Sequence, residues 1–109
     1  RAPRSRDIDM GDDGAGRSKA DIMRVIRRRT PGLRHIYTKH LRKNPGFAGK
    51  VALKFTIAPS GAIISIRVAG STTGVSAFDK AISNKVRQWK FGVVKSGKTT
   101  LTVPFTFSE

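Results

Sequence analysis

The chain has 109 residues, 38% of them hydrophobic and none cysteine, with a formal net charge of +15. That length suits one domain with a single modest core and leaves no room for two. The absence of cysteine excludes a disulfide scaffold, thiol catalysis and thiolate metal sites, and no apolar run approaches the roughly 20 residues of a membrane span.

The positive excess is uneven. Residues 17–50 carry eleven basic side chains against one acidic one, Asp21, whereas residues 51–109 carry eight against two. A field of this sign attracts anionic surfaces such as nucleic acid, acidic lipid, acidic glycan or an acidic protein, without choosing among them. The chain begins at Arg1 and has no signal-peptide pattern. It reads as a fragment or processed product, with a targeting or anchoring segment expected upstream.

Residues 1–16 (RAPRSRDIDMGDDGAG) are polar and glycine-rich. They hold too little apolar surface to offset their ordering entropy and are expected to form a flexible linker tail, leaving 17–109 as the domain. Ser18-Lys-Ala-Asp21 resembles a capping box, and Ile22, Val25 and Ile26 follow at helical spacing. Thr30-Pro31 then reads as a restart, since proline fits the first position after a threonine cap. Leu33, Ile36, Tyr37, His40 and Leu41 form one face of a second helix, with Tyr37 expected to be half-buried. Asn44-Pro45-Gly46 stops it.

The period then changes to two. Val51, Leu53, Phe55 and Ile57 alternate with small or polar residues as a strand with one buried face. Ala58-Pro59-Ser60-Gly61 is a turn. Ile64, Ile66 and Val68 alternate as the return arm, which puts Ile63 and Ala69 on the opposite face. Ser76-Ala-Phe-Asp79 resembles a second capping box. Phe78, Ile82, Val86 and Trp89 give the following helix, 76–90, an apolar stripe, with Trp89 expected to pack on Phe55 and Phe105. Leu101, Val103, Phe105 and Phe107 alternate in a last strand, 99–107.

The predicted fold class is therefore α+β. A three-stranded antiparallel sheet packs on one helix and is preceded by two N-terminal helices, in the order α-α-β-β-α-β. Placing the last strand beside the first makes every neighbouring pair antiparallel and gives the order 2-1-3, whereas placing it beside the second would create a less stable parallel pair. Pro104 agrees, because proline is confined to edge strands. An edge so free of charge between Thr99 and Ser108 is covered by residues 1–20, paired in a homodimer, or used by a ligand.

Gly92-Val-Val-Lys-Ser-Gly97-Lys98-Thr99 matches the nucleotide-binding P-loop pattern letter for letter. That chemistry needs a strand before the loop and a helix after it. Here a helix precedes and a threonine-rich strand follows, so nucleotide binding is rejected. No paired carboxylates remain for acid–base catalysis once the tail acids and the helix-start residues Asp21 and Asp79 are set aside. His35 and His40 lie five apart, off the spacing of a helical metal pair. No enzyme activity, metal or cofactor is expected.

Arg27-Arg28-Arg29, with Arg24, Arg34, Lys39, Arg42 and Lys43, is the sharpest charged feature. Its candidate anion-binding residues are Arg24, Arg27, Arg28, Arg34, Arg42 and Lys43; the other reading is a solvated face. Nucleic-acid recognition would be helped by interleaved aromatics, and only Tyr37 lies in this region, so the signal for that partner is charge alone.

Several segments together resemble the C-terminal domain of the TonB family. Gly49-Lys-Val-Ala-Leu-Lys-Phe-Thr-Ile-Ala-Pro-Ser-Gly61 resembles that family's hairpin, and Ser71-Thr72 with Phe78-Asp79-Lys-Ala81 its helix entry. Val86-Arg-Gln-Trp89-Lys-Phe91 and Val103-Pro-Phe-Thr-Phe107 resemble its V-x-x-W-x-F and closing-strand motifs. The likeness covers about residues 33–109, and through Ser18–Tyr37 the chain is also similar to the C-terminal domain of TonB-like gliding-motility proteins. Two features depart from the pattern. The cysteines of the motility type are replaced near Ile36 and Ile82, and Gly92 stands where the family has proline after W-x-F.

The resemblance implies a periplasmic protein-interaction domain of an energy transducer anchored upstream in the inner membrane. Its implied partners are an outer-membrane receptor peptide and the inner-membrane motor proteins. Strand addition along 99–107 would use Thr100, Thr102, Val103, Pro104 and Thr106. An adaptor role in a gliding-motility or cell-wall complex, with peptidoglycan or homodimer contacts, is the alternative, and a basic nucleic-acid-binding module the third reading.

Overall fold

The computed structural model describes residues 18–109, so the predicted linker tail, 1–16, lies outside the described residues. Its elements are α1 (Lys19–Leu41), β1 (Gly49–Ile57), β2 (Ile63–Ser71), α2 (Ser76–Arg87) and β3 (Thr99–Phe107). The Ser18 hydroxyl accepts from the Asp21 amide at 3.0 Å, as an N-cap should. The Asp21 carboxylate turns to Arg24 at 3.1 Å, and its charge sits favourably in the first helical turn.

The two predicted N-terminal helices are one continuous helix that runs through Pro31. Proline removes an intrahelical hydrogen bond and costs about 3 kcal/mol in a helix interior. Burial outweighs that cost. Ile22, Ile26, Leu33 and Tyr37 lie at 0–1% exposure on both sides of Pro31, and each such side chain contributes about 1.5–3 kcal/mol. The Thr30 hydroxyl donates to the Ile26 carbonyl at 2.6 Å, so Thr30 acts inside the helix rather than as a new cap. Tyr37 is wholly buried rather than half-buried.

The sheet order is β2-β1-β3, antiparallel throughout, as the alternation predicts. Val51, Leu53, Phe55 and Ile57 of β1 and Leu101, Val103, Phe105 and Phe107 of β3 are buried on one face. Both helices cover that face, rather than the last helix alone. Tyr37 of α1 and Phe78 of α2 both pack on Phe107, with ring centroids 5.6 and 5.0 Å away.

In β2 the buried set differs from simple alternation. Ile57 pairs with Ile63 and Thr56 with Ser65, so Ile64 is an extra residue at an irregularity in the ladder. This bulge brings Ile63 and Ile66 to the same side, where both pack on the core. Ile64 is turned out, at 54% exposure. Val68 pairs with buried Leu53 but is only partly covered at the sheet margin.

The hairpin turn closes with the Gly61 amide donating to the Ala58 carbonyl at 2.9 Å, and Gly61 has φ +93°. The segment after α2 latches onto this turn. Phe91 N–H donates to the Gly61 carbonyl at 2.9 Å, and Val94 N–H to the Pro59 carbonyl at 2.9 Å. A Cβ on Gly61 would lie 2.0 Å from the Phe91 carbonyl oxygen, so the latch needs glycine.

Helix α2 ends at Arg87, short of the predicted Lys90, and its N-cap is Val75 without a side-chain cap. The predicted capping role of Ser76 is taken by Thr73. Its hydroxyl donates to Asp79 at 2.7 Å and accepts from the Val75 amide at 3.2 Å. Trp89 is buried and meets Phe105 edge-on at 5.9 Å, while Phe55 stacks on Phe91 instead, at 6.2 Å.

Candidate functional site

Strand β3 pairs with β1 in unbroken register from Gly49↔Phe107 to Ile57↔Thr99. Among the described residues no strand lies on its other side. In a regular strand each residue directs its N–H and C=O to the same side, and alternate residues face opposite neighbours. Two observations fix the phase here. The Lys50 carbonyl accepts from the Thr72 amide and the Lys50 amide donates to the Thr72 hydroxyl, both at 2.9 Å, so the even-numbered residues of β1 face β2 and the odd-numbered ones face β3. Pro104, paired with Ala52, has no N–H to give and occupies a position directed away from β1. Thr100 and Thr102 therefore offer N–H and C=O to the outer edge, Pro104 offers a carbonyl, and Thr106 shares their phase.

Side chains divide in the same way. Thr100, Thr102 and Pro104 are half-buried and Thr106 exposed, on the sheet face opposite the helices. Thr100 Oγ1 lies 2.9 Å from Thr56 Oγ1 across the strands. Val103 is a correction to the expected site. Its side chain is wholly buried in the core, and its backbone faces β1 rather than the outer edge.

The basic residues are spread along α1 rather than gathered. The helix has 23 residues, about 34 Å at 1.5 Å per residue. Arg24, Arg27, Arg28, Arg34, Arg42 and Lys43 are all exposed along it or just beyond it. Arg24 is paired with Asp21. Arg34 donates to the Ser108 carbonyl and lies 5.3 Å from the centre of the Tyr37 ring, tying α1 to the end of β3. Lys85 of α2, which sequence reasoning missed, comes beside Arg28 and Arg29. No sequence signal links residues so far apart.

The P-loop-like stretch runs from the latch into β3, so a strand follows it and not the helix that the motif's phosphate cradle requires. His35 is exposed, and His40 is edge-on to Phe78 at 5.5 Å. Among the described residues no group of three His, Cys, Asp or Glu could hold a metal, and no helix is long and apolar enough to cross a membrane.

The model of the family described as Gram-negative bacterial TonB protein C-terminal matches residues 37–108. The chain belongs to the TonB C-terminal family. The match runs from the buried Tyr37 through the end of β3. The chain also resembles a Helicobacter pylori TonB C-terminal domain in solution, with TM-score 0.60 and 20% identity over 88% of this chain and 87% of that one. A Pseudomonas aeruginosa TonB C-terminal domain aligns with TM-score 0.51 and 28% identity, over 64% of this chain and 74% of that one. A second H. pylori TonB fragment aligns with TM-score 0.53 and 21% identity, over 72% and 90%. No curated protein matches the chain. These likenesses agree with the α+β sheet of order 2-1-3 and with a TonB-like domain.

Proposed function

We propose that this TonB C-terminal domain is the periplasmic docking end of an energy transducer. It takes an extended segment of an outer-membrane receptor by strand addition along β3, and segments upstream couple it to an inner-membrane proton-driven motor. The observation that carries the reading is the outer edge of β3, beside which no strand lies among the described residues. Thr100 and Thr102 direct backbone donors and acceptors outward in regular register, and such an edge is a template for another strand. Family membership over residues 37–108 supports a receptor segment as that strand. Backbone pairing supplies affinity, and the side chains of Thr100, Thr102 and Thr106 add selectivity.

The test is an NMR titration with an extended peptide taken from a receptor of the source organism. Shift changes concentrated on Thr99–Phe107 support the reading. Thr102→Pro removes one outward N–H without touching the ladder to β1, and should weaken binding about fivefold for one lost hydrogen bond. Changes confined to Arg24–Lys43, or binding unaffected by Thr102→Pro, would move the functional surface to the basic helix.

A further inference from the structure

We propose that the cleft where α1 meets the end of α2 is a binding site for a phosphate-type oxyanion. Arg28, Arg29 and Gly32 form one wall, and Lys85, Gln88 and Trp89 the other, around a space of about 260 Å³. Three cationic side chains and a primary amide meet there, and among the described residues no carboxylate lines the space. Asp21, the acid nearest in sequence on α1, is already engaged by Arg24. Like charges gathered around one cleft repel each other, and a bound anion turns that repulsion into charge-assisted hydrogen bonds.

The donor set suits phosphate. Each arginine offers a planar fork that matches two phosphate oxygens, Lys85 offers a point charge, and the Gln88 amide adds an N–H. A water occupies about 30 Å³, so the cleft holds a phosphate group with room for part of what carries it.

Gly32 is a poor helix former in mid-helix, directly after Pro31. A Cβ there would make ordinary van der Waals contact with Lys85 Cε at 3.7 Å, which places the lysine chain over α1 at this position. Trp89 closes the cleft with an apolar wall held edge-on against Phe105 at 5.9 Å.

The same chemistry is carried by free phosphate and by the headgroup of an anionic lipid. The experiment follows the fluorescence of Trp89, the chain's one tryptophan, and the Gln88 side-chain amide by NMR. The probes are inorganic phosphate, chloride at matched ionic strength, and vesicles of one part phosphatidylglycerol to three of phosphatidylcholine. Phosphate should give a saturable response that chloride does not. Arg28→Gln with Lys85→Gln should weaken it roughly tenfold or more, as expected for lost charge-assisted contacts, while Lys85→Arg retains it. The charge-matched pair Lys54→Gln with Arg67→Gln, exposed cross-strand partners in the sheet, should leave it unchanged.

Vesicles that displace phosphate from the cleft identify a lipid headgroup as the source, and vesicles without effect identify a soluble phosphate. The proposal is overturned if chloride acts as phosphate does, if the sheet-face control loses as much affinity as the cleft variant, or if neither phosphate nor vesicles give a saturable response. The receptor-peptide titration reads β3 and stands or falls separately.

Discussion

Replacing Tyr37 by phenylalanine removes one oxygen atom from the centre of the fold. The tyrosine is wholly buried, and its hydroxyl donates to the Phe47 carbonyl at 2.6 Å. Its ring meets Phe47, Phe78 and Phe107 at centroid distances of 4.8, 5.8 and 5.6 Å. Tyr37→Phe keeps those ring contacts and deletes only the hydrogen bond between α1 and the loop before β1. The net loss, including a carbonyl left without its donor, should be about 1–2 kcal/mol. In a domain of this size that lowers the thermal midpoint by roughly 4–8 °C per kcal/mol. Tyr37→Ala also removes the ring and should cost about 3–5 kcal/mol.

Alkaline pH supplies an independent readout. Burial raises the Tyr37 pKa above 10.0, the nearby Glu109 carboxylate raises it further, and Arg34 opposes both. The folded state thus holds the phenolic proton more tightly than the unfolded chain does. The stability this gives is complete below pH 10 and is lost as pH rises from there through the folded pKa. Urea denaturation at pH 7 and in steps above pH 10 should show wild type losing stability faster than Tyr37→Phe in the alkaline range. A phenylalanine variant as stable as wild type at pH 7, with the same alkaline slope, would refute this account of the Tyr37–Phe47 link.

Trp89→Ala should cost about 3–5 kcal/mol, since Trp89 is 3% exposed against Phe105; a solvent-exposed emission maximum for the native tryptophan would contradict this. Gly61→Ala should cost more than about 2 kcal/mol, because its φ is positive and its new Cβ would strike the Phe91 carbonyl. A melt within a degree of wild type would show that the latch is not fixed at Gly61. The Thr99 hydroxyl is buried with no hydrogen-bond partner among the described residues, so Thr99→Val should stabilise the fold by about 1 kcal/mol in chemical denaturation. Destabilisation would mean that the hydroxyl is satisfied in solution.

The sheet was legible because period-two alternation fixes which residues share a face, and the antiparallel preference then fixes the order. The same logic could have removed Val103 from the site. It alternates with Thr102 and Pro104, so it cannot share their outward phase. What the sequence concealed depends on tertiary structure. Pro31 looks like a break until Ile26 and Leu33 are seen buried on one stripe. Ile64 looks like a core residue until the bulge shifts Ile63 and Ile66 inward. Asp79 looks like half of a capping box with Ser76, but Thr73 is the residue that reaches it. The Arg28–Arg29–Lys85 cluster joins residues from two helices, and a linear charge pattern cannot show that meeting.

The two edges of the sheet are built differently, and the difference bears on where a partner strand can dock. At β2 the ladder to β1 is irregular in two places, between Ala52 and Leu53 and between Thr56 and Ile57. Irregularities of this kind bend and twist a strand, and they are a common means of spoiling an edge for another chain. Arg67 adds an exposed charge near the middle of that strand. At β3 the register is unbroken over the whole strand, and from Thr99 to Phe107 there is no charged residue. Pro104 is the one residue there that blunts pairing, and it removes a single donor while leaving its carbonyl. An incoming strand at β2 would have to follow two distortions and lose backbone bonds at each. At β3 it meets a regular edge with Thr100 and Thr102 already in phase. This asymmetry favours β3 over β2 for an added strand, independently of family membership, because it rests on register and side-chain charge alone.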